Sequence, residues 1–297
     1  MSKNKKKTEA AQLFAAWEEL FVCPLCASPM HVVQESSLVC SNQHCFDLAR
    51  QGYVNLLTHP VKAAYAREMF ASRKLISKSG FFDPLLSKLS EAILSRQTHT
   101  REPIRILDAG CGEGSHLAHI QHMIGDRTSS DVIGVGIDVS KDAIALATSE
   151  TSRSLWCVAD LANCPFADKQ YTAILNILSP ANYAQFQRLL SEDGIVLKVV
   201  PEQDYLRELR ESLYVLDERQ TYTNEETTAL FRRQFALLET IRVQYTAQIE
   251  PSNLPHLLQM TPLSWGATEE QRERLLQTGL SAVSVDFSIL VGRNEQA

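Results

Sequence analysis

Four thiols and an imidazole crowd into 23 residues near the start of the chain: Cys23, Cys26, Cys40, Cys45 and His44. Cys23-Pro-Leu-Cys26 has the spacing that turns two sulfurs toward one ion, and thirteen residues separate it from Cys40-Ser-Asn-Gln-His44-Cys45. Zn²⁺ takes four tetrahedral ligands from thiolate and imidazole, and a structural site closes all four positions. Cys23, Cys26 and Cys40 supply three, and the fourth is His44 or Cys45. A redox dithiol at Cys23/Cys26 is the rival reading, but it has no use for Cys40 and His44. Reduced cytoplasmic thiols in a tight cluster favour metal over disulfide. Met30-His-Val-Val and Ser37-Leu-Val alternate like a short hairpin between the ligand pairs, which gives a zinc-ribbon-like layout with His31 on its surface. His116, His119 and His122 recur at a spacing that does not hold one helix face, and no acidic ligands accompany them. They read as solvated or cofactor-adjacent rather than as a second metal site.

A second constellation lies in Leu107-Asp108-Ala109-Gly110-Cys111-Gly112-Glu113-Gly114. Glycines after a strand let the backbone turn sharply and approach a ligand at a helix N-terminus. A nicotinamide-binding fingerprint would place its third glycine at position 115, which is Ser115. The pattern Asp-x-Gly-x-Gly-x-Gly instead resembles the first motif of S-adenosylmethionine methyltransferases. Asp138 follows Gly114 by 24 residues, near the spacing expected for a carboxylate on an adenosyl ribose. Asp160, with the amide of Leu161, stands where an adenine could be read. Each acid alone is equally consistent with a helix cap; the three features in this order favour the cofactor. Next comes Leu175-Asn176-Ile177-Leu178-Ser179-Pro180-Ala181-Asn182, where Asn176 and the backbone at Ser179/Pro180 are placed to bind a flat base. It has neither the Asn/Asp-Pro-Pro-Tyr of amino-group methylation nor the Pro-Cys nucleophile of pyrimidine methylation, which leaves a ring nitrogen or oxygen as acceptor.

These residues need a scaffold, and the pattern supplies one. Apolar runs at Ile104–Ala109, Val132–Val139, Leu155–Val158, Tyr171–Ser179 and Gly194–Val200 alternate with helical stretches at 116–125, 141–150, 182–191, 202–211 and 224–235. Such alternation predicts a mainly parallel sheet covered on both faces, an α/β Rossmann-like domain. Runs at Leu238–Gln248 and Ala282–Gly292 predict an antiparallel end, and helices are expected near 65–79 and 84–96. The expected division is a basic extension over 1–20, a zinc-binding RNA-recognition domain over 21–60, a linker helix over 61–82 and a methyltransferase domain over 83–297.

The 297 residues carry a formal charge of −6, which by itself argues against a nucleic-acid partner. The distribution reverses that inference. Residues 1–82 hold ten Lys/Arg against six Asp/Glu, and residues 83–297 hold nineteen against twenty-nine. A basic module on an acidic body fits two different partners; a basic solvated tail fits equally, since Lys3, Lys5, Lys6 and Lys7 supply four of the ten. Arg50, Lys62, Arg67, Arg73, Lys74 and Lys78 are its candidate RNA-facing charges. No apolar run approaches the ~18 residues of a membrane span, and a cytoplasmic protein without a membrane partner is expected.

The zinc block, the segment Phe46-Asp47-Leu-Ala-Arg-Gln-Gly52-Tyr53-Val54-Asn55-Leu56-Leu57, the loop Leu107–Gly114 and the late Leu257-Leu-Gln-Met260-Thr261-Pro262-Leu263-Ser-Trp265 together resemble the 23S rRNA guanine-N1 methyltransferases of the RlmA type. The likeness runs from about residue 21 to the end. It implies methylation of a guanine N1 in hairpin 35 of 23S rRNA with S-adenosylmethionine. The family has two sub-types acting on neighbouring guanines, one linked to resistance to tylosin-like macrolides. Tyr65-Ala-Arg67-Glu68-Met69-Phe70 and Gly80-Phe81-Phe82-Asp83-Pro84-Leu85 resemble the Gram-positive sub-type.

The resemblance assigns the zinc to Cys23, Cys26, Cys40 and His44, with Cys45 a bystander. It adds Phe82, His116, Leu117 and Tyr205 to the cofactor contacts Asp108, Gly110, Gly112, Gly114, Asp138, Asp160 and Leu161; Tyr205 stands where the family has a histidine. Asn176 and Pro180 are the candidate catalytic positions, with Asn176 orienting the N1–H. Trp265 reads as pocket support or as a core aromatic. A small-molecule methyltransferase acting on a macrolide or quinone precursor would share the cofactor motifs but needs no zinc ribbon. A non-catalytic ribosome-binding protein would not need Gly110, Gly112, Asp138 and Asp160 intact. A homodimer is left open.

Overall fold

A computed structural model of the chain describes residues 3–61, 65–96, 102–150, 153–214 and 223–295. Helix α1 (Lys3–Ala16) leads into a small antiparallel sheet of β1 (Met30–Val33), β2 (Ser37–Cys40) and β3 (Cys45–Asp47), in that order. The register pairs Met30 with Cys40 and Val39 with Cys45, so the expected hairpin forms, with Cys40 at its open end, where the connection to β3 also carries His44. Three strands of three or four residues bury too little to stand alone.

They do not stand alone. The segment after α1 bonds to the larger domain: the Val22 amide donates to the Pro165 carbonyl at 3.1 Å and the Ala167 amide to that of Leu20 at 2.9 Å. Phe14, Phe21, Phe166 and Tyr171 form a chain of aromatic contacts at 5.3, 5.4 and 5.6 Å between centroids. All four are fully buried, and each such pair contributes about 0.5–1.5 kcal/mol beyond its burial. Residues 1–20 were expected as a basic extension, a lysine tail and a short amphipathic helix, with no functional role. Instead α1 buries Ala11 and Phe14, and Lys6 donates to the Thr148 carbonyl at 3.1 Å.

The remaining strands are β4 (Tyr53–Asn55), β5 (Ile104–Ala109), β6 (Val132–Asp138), β7 (Ser154–Val158), β8 (Tyr171–Ile177), β9 (Leu190–Pro201), β10 (Ala236–Gln248) and β11 (Ala282–Arg293). They form one sheet in the order β10-β11-β9-β8-β5-β6-β7-β4. The ladders from β4 to β9 are parallel, and β11 is antiparallel to both β9 and β10. Strands buried on both faces read as continuous apolar runs, which is why the five central ones were visible in sequence. One strand was not. Residues 53–55, assigned to the zinc domain, pair with Trp156–Val158 and close the edge of the large sheet.

Helices α2 (Arg67–Lys78), α3 (Asp83–Leu94), α4 (Ser115–Gly125), α5 (Lys141–Ala147), α6 (Tyr183–Leu189), α7 (Arg207–Leu213) and α8 (Glu225–Gln234) match the expected stretches within a few residues, except that the 202–211 stretch begins at 207. Helices α9 (Leu254–Met260) and α10 (Glu269–Gln277) were not expected. Helix α2 is no free linker: it packs against α4, α5 and α9 and buries Met69, Phe70, Ser72 and Ile76. The strand order reverses at β5, with β6 on one side and β8 on the other. Open α/β sheets bind ligands at such a switch point, outside the carboxyl ends of the strands. Among the described residues no helix is long and apolar enough to cross a membrane.

Candidate active site and metal centre

The sulfurs of Cys23, Cys26 and Cys40 and a ring nitrogen of His44 all lie within 4.8 Å of one another. Cys26 Sγ to Cys40 Sγ is 3.7 Å, and His44 Nδ1 lies 3.4 Å from Cys23 Sγ and 3.5 Å from Cys40 Sγ. A tetrahedron with Zn–S bonds of ~2.3 Å and a Zn–N bond of ~2.0–2.1 Å has edges of about 3.5–3.8 Å. These four ligands are therefore already arranged as a zinc site. Cys45 is exposed with its Sγ toward Asp47, away from the group. His31 pairs with Glu18 at 2.9 Å on the surface.

A cleft of about 700 Å³ opens at the carboxyl ends of β8 and β9, within the usual range for small-molecule sites. Its walls include Phe82, His116, Ile177–Pro180, Lys198–Glu202 and Tyr205, with Arg73 reaching in from α2. Phe82 is buried with its ring edge-on to the His116 imidazole at 4.7 Å. Burial, with the Arg73 guanidinium and His119 near, lowers His116 to about 3 and keeps it neutral; its Nε2 is buried with no hydrogen-bond partner. Tyr205 packs on Phe287 at 4.6 Å, and burial pushes its phenol well up.

The glycine loop packs against two residues of this cleft: a Cβ on Gly110 would lie 2.8 Å from Ser179 and one on Gly112 3.5 Å from Arg73. Gly110, Gly112 and Gly114 all have positive φ, at +82°, +56° and +84°. The Gly112 amide donates to Asp138 Oδ2 at 3.0 Å and the Ser140 amide to Oδ1 at 2.8 Å, so the carboxylate anchors the turn from β6. Asp108 is buried at the end of β5 and accepts no hydrogen bond from any described residue. Burial, with Asp138 and Glu113 close by, pushes it up to about 8. Arg73 makes no ion pair with a described residue; its charge lowers Asp108, Glu113 and Asp138 against the burial that raises all three, with Lys74 acting more strongly on Glu113. Acidic side chains near an unpaired guanidinium suit a ligand bearing both an amine and a carboxylate.

Other expected residues land elsewhere. Leu117 is buried in the core, so only its backbone is available to a ligand. Asp160 and Leu161 stand at the end of β7, two strands along from β5 and outside the lining of the cleft; Asp160 Oδ1 accepts from the Ala162 amide at 2.8 Å. Asn176 does not face the cleft. Its side chain is fully buried, donating to the carbonyls of Ala109 (3.1 Å) and Pro180 (2.9 Å) and to Ser179 Oγ (2.6 Å), while its Oδ1 accepts from Lys198 Nζ at 2.6 Å. With every polar atom engaged, Asn176 fixes the turn after β8 instead of touching a base. That turn is strained: Leu178 has φ +52°, a conformation that persists only where the surroundings impose it. Pro180 does line the cleft.

The basic set also divides. Arg50, Arg67 and Lys78 are exposed, but Lys74 bonds to Glu150, Ser149 and the Leu146 carbonyl, and Arg73 serves the cleft. Lys62 lies outside the described residues. Lys198, which sequence reasoning passed over, is a charge inside an otherwise apolar strand run, and that was its signal. Trp265 is 52% exposed, not a core aromatic, and stacks tilted on Tyr65 at 5.3 Å beside the cleft mouth.

Residues 21–64 match the zinc-ribbon family model described as RlmA, N-terminal, and residues 106–199 match a methyltransferase domain model. Among solved structures, the plantazolicin methyltransferase BpumL is 20% identical, covering 77% of this chain and 95% of that one at a TM-score of 0.41. The 23S rRNA (guanine(748)-N(1))-methyltransferase of Streptomyces fradiae is 31% identical over 91% of this chain and 95% of its own length. The Bacillus subtilis (strain 168) protein YxjB, whose name assigns it as a 23S rRNA (guanine-N1)-methyltransferase, is 42% identical over 92% of this chain and 96% of its own. With a four-ligand zinc ribbon joined to a methyltransferase sheet, and relatives of that identity along nearly its whole length, the chain belongs to the family of 23S rRNA guanine-N1 methyltransferases.

Proposed function

We propose that the chain methylates N1 of one guanine in hairpin 35 of 23S rRNA, with S-adenosylmethionine as donor. The observation that carries this reading is the cleft at the switch point of the sheet. Phe82, His116 and Arg73 line it, and the glycine loop, which turns at positive φ and is anchored by Asp138, packs against its Ser179 and Arg73. The donor supplies a methyl group on a positively charged sulfur. Asp138 accepts from its ribose hydroxyls, Arg73 takes its carboxylate, and Asp108, raised to about 8, ionises as its cationic part approaches. Phe82 and the neutral His116 form an uncharged wall that sets no cation of their own against the sulfonium. Asp160 and the Leu161 amide close over the adenine from the end of β7.

The target base enters beside Leu178–Pro180, on the turn that Asn176 holds rigid. Rigidity matters because methyl transfer needs an in-line approach, and most of its acceleration is positioning. The base must leave its helix or stack to get there. Tyr65 and Trp265 flank the entrance, where exposed aromatic faces suit a neighbouring unstacked base. Stacking of this kind contributes ~1–3 kcal/mol per base. Trp265→Ala should therefore raise KM for the RNA about 5- to 100-fold while leaving S-adenosylhomocysteine affinity unchanged by calorimetry. An equal loss of both would assign Trp265 to the cofactor instead.

The zinc ribbon, with exposed Arg50 at its end, is the RNA-recognition part. The deciding experiment supplies labelled S-adenosylmethionine with unmodified 23S rRNA, a hairpin 35 transcript and a panel of small acceptors. Label should enter the RNA, and reverse transcription should stop at one guanine, because an N1 methyl blocks the pairing edge. Label in a small acceptor alone, or a stop outside that hairpin, would overturn the proposal.

A further inference from the structure

Guanine N1 carries a proton that has to leave when the methyl group arrives, and neither Asn176 nor any carboxylate of its motif can take it. The cleft offers a different group. Lys198 lies on β9, 6% exposed, and is among the residues that line the cleft. Its Nζ is 2.6 Å from Asn176 Oδ1 and 2.7 Å from the Ser179 carbonyl oxygen. Both partners are neutral acceptors, and no carboxylate forms an ion pair with Lys198 among the described residues. A tetrahedral amine nitrogen with two hydrogens has one further direction, its lone pair. Here the two hydrogens are matched by two acceptors, and Lys198 is one of the residues that line the cleft.

We propose that Lys198 is the base that receives the N1 proton of the target guanine; the inference rests on the guanine-N1 reading above. The electron pair of the N1–H bond stays on N1 as the proton passes to the Lys198 amine. N1 forms its bond to the methyl carbon as the S–CH₃ bond breaks, that pair remaining on the donor's sulfur, and the lysine ammonium then gives its proton to water. Burial without a counter-ion lowers Lys198 to about 8, so a substantial fraction is neutral near physiological pH, where a general base is most effective.

The other ionisable groups facing the cleft do not compete. His116, from α4, is held near 3 and is too weak a base. Arg73 from α2 and Arg210 from α7 are cations. The Tyr205 phenol is pushed up and stays protonated. Glu202 is engaged by Arg242 and by the Ser288 hydroxyl, and the Tyr214 hydroxyl donates to the Leu263 carbonyl at 2.5 Å.

The test uses single-turnover methylation of the hairpin 35 transcript by wild type, Lys198→Arg and Lys198→Met, together with thermal midpoints and S-adenosylhomocysteine affinity. Arginine keeps a cation across the same two carbonyl oxygens but cannot accept a proton. Both variants should therefore lose about 100- to 1,000-fold in rate with cofactor affinity and midpoint near wild type. Lys198→Arg retaining a third or more of the wild-type rate would make Lys198 a positioning residue and overturn the proposal. The wild-type pH profile decides independently should the variants unfold. Its rate should climb about tenfold per pH unit and level off near pH 8, as the amine becomes neutral; a rate falling across that range would mark a required ammonium and overturn it. The Lys198 ¹³Cε resonance, assigned by its absence from the variants, should titrate below those of surface lysines. A wild type that transfers no methyl to RNA overturns the guanine-N1 reading itself and this inference with it, whereas an active wild type with an active Lys198→Arg removes the inference alone.

Discussion

Chelating the metal, or replacing Cys40 with Ser, should abolish methyl transfer to rRNA while the cleft still binds S-adenosylhomocysteine. Structural zinc contributes an apparent ~10–16 kcal/mol in small zinc modules, as large as the ~5–15 kcal/mol that stabilises a whole domain. The ribbon has three strands of at most four residues, so apart from its aromatic contacts with the large domain the ion is its main source of that energy. Cys23 and Cys40 are themselves buried, in the apolar cluster that holds Met30 and Leu38. Deleting one ligand exposes the rest of the group to solvent and unravels both hairpin turns.

The cofactor loop, by contrast, hangs from β5 and β6 in the middle of the large sheet, several strands from β4. The expected result is a loss of at least about 100-fold in rRNA methylation, with cofactor affinity within about threefold of wild type, read by zinc content, calorimetry and methyl incorporation in parallel. Wild-type methylation by a metal-free protein would refute the structural role. A matching collapse of cofactor affinity would show that the ribbon and the sheet fold as one unit, through the Phe14–Phe21–Phe166 contacts.

The sequence disclosed the two centres unequally, for physical reasons. Ligand type and spacing define most of a zinc site, because the ion dictates its own geometry; they named Cys23, Cys26 and Cys40 and left His44 or Cys45 for the fourth, which the resemblance gave to His44 and the fold brings into place. The central strands were visible because burial on both faces forces apolar runs. Strand β4 escaped because three residues carry no period, and α9 because seven residues with a proline near the start make little helical pattern. Direction was the harder matter. Sign of charge does not say where a side chain points, so Arg73 and Lys74, adjacent on α2, were both read as RNA-facing, although one enters the cleft and the other binds Glu150. Asn176 and Lys198 are polar residues inside apolar runs, and such residues are retained for a reason. Only the fold reveals that they bond to each other across neighbouring strands, and that the asparagine faces inward while the amine borders the cleft.

Gly110→Ala should be nearly as damaging as metal loss, but at the cofactor. Gly110 has φ +82°, which costs an L-residue about 1–2 kcal/mol, and a Cβ there would lie 2.8 Å from both Cβ and Oγ of Ser179. Ser179 cannot give way freely. Its hydroxyl donates to the Ala109 carbonyl at 2.7 Å and accepts from Asn176 Nδ2 at 2.6 Å, and its carbonyl accepts from Lys198. The methyl group therefore displaces the glycine loop on one side and the base-facing turn on the other. Gly279 is the control, with φ +66° and nothing within 4 Å of the added carbon; Gly279→Ala should show backbone strain alone, a small drop in midpoint with full activity.

For Gly110→Ala the expected loss is at least about 50-fold in S-adenosylhomocysteine affinity, about 2–3 kcal/mol, with methylation below detection. Adding Ser179→Gly removes the atoms in collision but not the strain, so the double variant should bind cofactor better than Gly110→Ala alone. That sign of coupling is expected only of residues in direct contact. Additive losses would mean that the loop and the turn are not locked together, and that the close approach of Gly110 to Ser179 does not shape the cleft.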